Sequence, residues 1–273
     1  MRTQTIPPGA ARAGPRAWAA VAAVLLSLSG AACRAGDAPG RAPRSPDPEK
    51  PKAMRIYVGT YTGPKSKGIY QLRLDLETGR LGEPELAGET ASPSFLAIHP
   101  NRRFLYAVNE VWGPPGAGGG SVSAFAIAPE TGLLTPLGKQ PSGGVGPCYV
   151  AVEAGGRCAL AANYGSGSIC ALPIGDDGRL APATAVVQHT GSGPDSKRQE
   201  GPHAHSIRPD PSGRFAMAAD LGLDKILVYR LDPARGTLVP HDPPSASVAP
   251  GAGPRHTAFS PDGRFMYVIN EMA

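Results

Sequence analysis

The feature that most constrains this chain is a repeat. Four segments of 17 residues align without gaps: SFLAIHPNRRFLYAVNE (94–110), CYVAVEAGGRCALAANY (148–164), HSIRPDPSGRFAMAADL (205–221) and RHTAFSPDGRFMYVINE (255–271). The tenth column is always arginine (Arg103, Arg157, Arg214, Arg264), and the sixteenth holds Asn109, Asn163, Asp220 and Asn270. Each segment is an apolar run, a polar Pro/Gly turn and a second apolar run, which is the pattern of a β-hairpin. A third run follows in three copies, SVSAFAIA (121–128), SICALPIG (168–175) and KILVYRLD (225–232), then a turn such as ETGLL or DDGRL and a weaker fourth run. The opening RIYVGTY (55–61) matches the second run alone, and GIYQLRLD (68–75) continues that unit. Thr60, Asn109, Asn163, Asp220 and Asn270 are spaced by 49, 54, 57 and 50 residues. Four strands at this period predict an all-β fold, a β-propeller of four-stranded antiparallel blades, with about four and a half blades present.

The repeat also assigns faces. In a propeller blade the first strand runs along the central channel and the second returns. The start of the first strand and the end of the second therefore share a rim. This places His205, Arg255 and His256 beside Asn109, Glu110, Asn163, Tyr164, Asp220, Asn270 and Glu271. The loop RQEGPHAH (198–205) enters the first strand of its blade, so it falls on the same rim, near the channel mouth.

Each candidate residue has a bland reading and a chemical one. Arg198 alone reads as a solvated loop charge. With Arg255 on the same rim it makes a two-guanidinium site for a substrate phosphate or carboxylate. Glu200 either caps the turn and pairs with an arginine, or acts as a general base on water attacking a carbonyl. His203 and His205 either bond backbone carbonyls, or shuttle a proton and donate to a developing oxyanion. The His-x-His spacing also suits a metal on a strand, but no third ligand is evident and no metal is expected. Asn163 and Asp220 hold the repeat column and read as braces for neighbouring loops, with substrate binding beside Arg255 and His256 as the alternative. Asn109, Asn270 and Glu271 rank lower. Cys148, Cys158 and Cys170 fall in one blade; the expected register sets Cys148 against about residue 162 and Cys170 against about 161, which predicts free thiols. GPPGAGGG (113–120) reads as a flexible insertion on the functional rim, part of a lid.

Charge separates a leader from the body. Residues 1–52 carry eight Lys/Arg and three Asp/Glu, which is the whole formal net charge of +5. The remainder balances, so it offers no broad electrostatic footprint for nucleic acid. Arg2, Arg12 and Arg16 precede the apolar run Ala17–Leu28, which is too short to span a bilayer, and the small residues SGAAC end at Cys33. These are the parts of a secretory signal (1–33), with Cys33 as a lipidation site and membrane anchor in the lipoprotein reading. Gly30 stands where such signals usually carry leucine. Residues 34–53, rich in proline and charge, read as a disordered tether, and 54–273 as the propeller domain. The expectation is an exported or membrane-anchored protein, with the cytoplasm as the alternative.

The wording of the repeats resembles the lactonase-type seven-bladed propellers, the bacterial 6-phosphogluconolactonase family. The matching strings are YVGTYT (57–62), SPSFLAIHPNRRFLYAVNE (92–110), GPCYVAV (146–152), ANYGSGSICALPI (162–174), RQEGPHAHSI (198–207), ADLGLDKILVYRLD (219–232) and GPRHTAFSPDGRFMYVINE (253–271). The resemblance runs from about residue 55 to the end. It implies hydrolysis of a sugar lactone, 6-phosphogluconolactone or a related aldonolactone, with no cofactor, and the family includes relatives that form lactones. Seven blades would leave about two and a half unaccounted for, so a C-terminally truncated chain is the expectation. The alternative is an exported propeller that binds or scaffolds without turnover.

Overall fold

The computed structural model describes residues 51–113 and 119–273. The leader, Cys33, nearly all of the expected tether and residues 114–118 of the glycine-rich insertion lie outside the described residues. The strands form five antiparallel meanders in chain order. The first holds β1 (Ala53–Val58), β2 (Gly68–Asp75) and β3 (Glu85–Glu89). Three complete blades follow. One contains β4 (Leu96–Ile98), β5 (Phe104–Asn109), β6 (Ser121–Ile127) and β7 (Leu134–Pro141). The next contains β8 (Pro147–Val152), β9 (Cys158–Asn163), β10 (Ser168–Pro173) and β11 (Ala185–Gln188). The fourth blade contains β12 (Ala204–Pro209), β13 (Phe215–Asp220), β14 (Lys225–Asp232) and β15 (Thr237–Ser247). The fifth sheet is β16 (Pro254–Phe259) paired with β17 (Met266–Asn270). Among the described residues each strand falls where the repeat places it, and the first blade holds three strands.

The first strands of successive blades touch one another, β4 with β8, β8 with β12 and β12 with β16, so the blades radiate from a line of first strands. The core lies between the blades rather than inside one sheet. In β9 all six residues are buried. Cys158, Leu160 and Ala162 join the cluster shared with the fourth blade, whereas Ala159 and Ala161 join the cluster shared with the second. The period-two alternation of a strand thus divides its side chains between two cores. That is why the middle strands read as continuous apolar runs, and why alanine is common where neighbouring sheets approach.

The polar sixteenth column has a clear cause. Each of these residues ends a second strand, where the loop entering the blade leaves backbone groups unpaired. Asn109 Nδ2 donates to Ala91 O (2.7 Å) and Thr90 Oγ1 (2.7 Å), and Ser121 and Ser123 donate to its Oδ1. Asn163 Nδ2 donates to Ser142 O (3.2 Å) and Ser168 Oγ (3.1 Å). At the other end of the blades the arginine column lays guanidiniums over the next ring, Arg103 on Phe104, Arg214 on Phe215 and Arg264 on Phe265.

Candidate active site

One irregularity, repeated three times, builds the site. The pairing of first and second strands skips a residue between Pro147 and Tyr149, between Ala204 and Ser206, and between Pro254 and His256. Cys148, His205 and Arg255 are the bulged residues, and all three stand in the first column of the repeat. A β-bulge turns its extra residue out of the ladder and re-aims the side chain. This corrects the expected register for Cys148, which sits in the bulge rather than opposite residue 162; Cys170 pairs with Ala161 as expected. Cys148, Cys158 and Cys170 are free thiols.

The bulged residues His205 and Arg255 and the loop residue Arg198 converge on Glu271. Arg198 Nη2 donates to Glu271 Oε1 at 2.5 Å, Arg255 Nε donates to Oε2 at 3.0 Å, and His205 Nε2 lies 3.5 Å from Oε2. Backbone bonding from Glu271 N to Gly253 O fixes its start. The His205 hydrogen bond, followed by the Arg198 hydrogen bond, holds the Glu271 carboxyl far below the usual carboxylate range despite partial burial. Glu271 is therefore a fixed anion, the hub between two blades and the 198–205 loop, and not a proton acceptor. The sequence reading ranked it low. Its signal was the seventeenth column, where Glu110 stands in the second blade: Tyr61 Oη (2.8 Å) and Ser94 Oγ (2.5 Å) donate to Glu110 Oε2.

The imidazoles occupy three different environments. His203 Nδ1 lies 3.0 Å from the Tyr164 carbonyl, which can only accept, so Nδ1 carries the proton and neutral His203 keeps its lone pair on Nε2. That nitrogen lies 3.6 Å from Glu200 Oε1, and the Glu200 side chain is 60% exposed. The His203 ring stacks on Tyr164 with centroids 4.6 Å apart, and Arg198 Nη2 donates to Tyr164 Oη at 3.3 Å. His205 meets the same tyrosine edge-on and lies 5.2 Å from His256. His256 packs against Phe95 and Tyr149, and burial, then the charges of His205 and Arg255, pushes it down to about 3. Cys148 Sγ approaches His205 O (3.3 Å) and Nδ1 (3.8 Å). A cysteine beside a histidine and a glutamate suggests a nucleophile. Burial, then Glu110, raises this thiol well above its ordinary value, so it remains a thiol.

Asn163 and Asp220 are both 0% exposed, and their side chains bond the neighbouring loops. Asp220 clasps the loop. Its Oδ1 accepts from His203 N (2.8 Å) and Leu223 N (3.2 Å), and its Oδ2 accepts from His189 Nδ1 (2.6 Å). His189 Nε2 in turn accepts from Tyr229 Oη at 3.0 Å. His189 begins the 189–203 loop and His203 ends it, so one buried carboxylate closes the neck. Buried Gln199 fastens the middle, with Nε2 donating to Leu221 O and Asp224 Oδ1, both at 2.8 Å. The loop backbone approaches the turn Leu221–Leu223 so closely that a Cβ on Gly222 would stand 1.9 Å from Gly201 O. Among the described residues no group of three His, Cys, Asp or Glu side chains could hold a metal ion.

Radial four-stranded blades, with arginines, imidazoles and carboxylates gathered at one end, define a β-propeller carrying a polar site on one rim. A model of the family described as "Lactonase, 7-bladed beta-propeller" matches residues 55–273, and the chain belongs to this family. It is 40% identical over 217 residues to the 6-phosphogluconolactonase of Bacillus subtilis (strain 168), covering 80% of this chain and 59% of that protein. A crystal structure of a Bacteroides fragilis protein superposes with a TM-score of 0.76 at 40% identity, covering 82% of this chain and 63% of that one. The Pseudomonas aeruginosa periplasmic gluconolactonase gives 0.73 at 36% identity, covering 80% and 62%. The chain thus spans about three-fifths of the length of these relatives.

Proposed function

We propose that the protein hydrolyses a sugar lactone of the gluconolactone type at this rim, at the mouth of the propeller channel. The observation that carries the reading is the convergence of Arg198, Arg255 and His205 on Glu271, with the His203–Glu200 pair alongside. A lactone carbonyl attacked by water becomes a tetrahedral oxyanion. The ring C–O bond then breaks, the departing oxygen takes a proton, and an aldonate remains. Two guanidiniums with unused donors suit both the oxyanion and the product carboxylate. The proton goes to His203 Nε2, because imidazole is the side-chain type matched to proton transfer near neutral pH. Glu200 stabilises the imidazolium that results, so the carboxylate expected to activate water acts here through the histidine. His256, kept neutral, and His205, tied to Glu271, shape the site.

The test is hydrolysis of glucono-δ-lactone and 6-phosphogluconolactone above the spontaneous rate. His203→Gln should lower kcat by about 10²–10⁴, with Glu200→Gln losing less. No turnover of either lactone by the unmutated protein would favour a binding propeller. We further propose export, directed by residues 1–33; a reporter fused to that segment and retained in the cytoplasm would refute it.

A further inference from the structure

Sugar lactones have an apolar C–H face as well as hydroxyls. On this rim Tyr61 is 52% exposed but is tied to Glu110 through its hydroxyl. Trp112 offers a second and larger ring. It follows the end of β5 on the functional rim, and it is 63% exposed. That exposure leaves the indole available to a ligand on this rim.

Its seat is built for it. A Cβ on Gly165 would stand 2.8 Å from Trp112 Cζ3, and a Cβ on Gly146 would stand 3.2 Å from Cζ2. The indole thus lies against two glycine backbones that no other residue type could replace without moving it. Gly165 N bonds Val145 O and Gly146 N bonds Val111 O, so seat and ring are tied together. Tyr164 follows, with its ring 6.5 Å from Trp112 at 71°, and then His203, stacked on the tyrosine at 4.6 Å. An aromatic line leads from solvent to the proton acceptor and passes Arg198 at the Tyr164 hydroxyl.

We propose that Trp112 is the platform on which the C–H face of the sugar lactone stacks, and that it determines affinity for the sugar ring; this rests on the lactonase reading of the same rim. The indole face carries negative charge density that attracts the weakly positive ring hydrogens. The contact exists equally in ground and transition states, so it acts on KM and not on kcat.

The protein holds two tryptophans, Trp18 in the leader and Trp112. A Trp112→Ala variant therefore serves as the blank for a fluorescence titration with D-gluconate, which needs no turnover. The expected results are a saturable change in Trp112 emission, a KM for glucono-δ-lactone raised about three- to tenfold in Trp112→Ala at unchanged kcat, and a smaller rise in Trp112→Phe. If Trp112→Ala melts early, Trp112→Phe and the emission titration decide. Unchanged KM in both variants together with silent emission overturns the platform while the hydrolase reading stands. An emission change without hydrolysis of any lactone leaves the platform and removes the hydrolase reading. Neither emission change nor hydrolysis removes both.

Discussion

Glu271 and His256 both make the fold sensitive to acid, for opposite chemical reasons. Glu271 has its carboxyl pulled down by His205 and Arg198, so its contribution is present above the ordinary glutamate value of about 4.3 and is lost as pH falls below it. His256 is part-buried and neutral, with its value depressed to about 3. The unfolded chain binds that proton from about pH 6.5 downward, so stability is full above that value and declines between it and about 3. Replacing His256 with Gln should therefore reduce the fall in melting temperature between about pH 7 and pH 4. Equal slopes for variant and parent would refute the part-buried, neutral assignment. Glu271→Gln should act lower on the pH scale and should also free Arg198 and Arg255, raising KM for the lactone.

The element that matters most is the 189–203 loop, and its order depends on the Asp220 clasp. The Tyr229 hydroxyl contributes one buried hydrogen bond, so Tyr229→Phe should cost about 1 kcal/mol. Asp220→Ala leaves the His189 Nδ1, His203 and Leu223 donors without their acceptor, and should cost about 1–3 kcal/mol for each that stays unpaired. The two variants separate packing from positioning. In Asp220→Ala, amide exchange should accelerate across the loop while the strands β12–β15 stay protected; uniform exchange throughout the fourth blade would mean the clasp serves the blade and not the loop. The bulges are the other device at this scale. They aim His205 and Arg255 at Glu271, which a regular ladder would have directed between the blades.

Across the whole molecule, the blades stabilise one another through the cores between them, so the sheets at either end of the array are the least covered. In β17, Tyr267 is 63% and Ile269 64% exposed, beside Phe265 at 56%, on an edge strand. Exposed apolar edge strands invite pairing with another chain. A polypeptide ending at residue 273 leaves that edge unpaired and should self-associate, and Tyr267→Lys with Ile269→Lys should lower its light scattering at equal concentration. A monomeric parent with a sharp, reversible melt would refute this.

The architecture was legible in the chain because it repeats. Four aligned segments reveal strand order, blade period and shared rim, since a register that recurs fixes where each strand begins and ends. Asn109 and Asn163 brace loops because they end second strands, and Arg198, His203, His205 and Arg255 meet because their strands begin or end on one side. Other features depended on contacts between distant parts of the chain. Nothing local marks His205 and Arg255 as bulged, since a bulge is a property of two strands in register. Nothing local distinguishes buried Asp220 from half-exposed Glu271, although both follow the same apolar pattern. Charge partners 73 and 16 residues away made Glu271 the hub, and two glycines brought from other loops made Trp112 a platform. Periodicity along the sequence determined the strands; the tertiary structure decided which side chains face one another, because burial and charge pairing are set by neighbours in space.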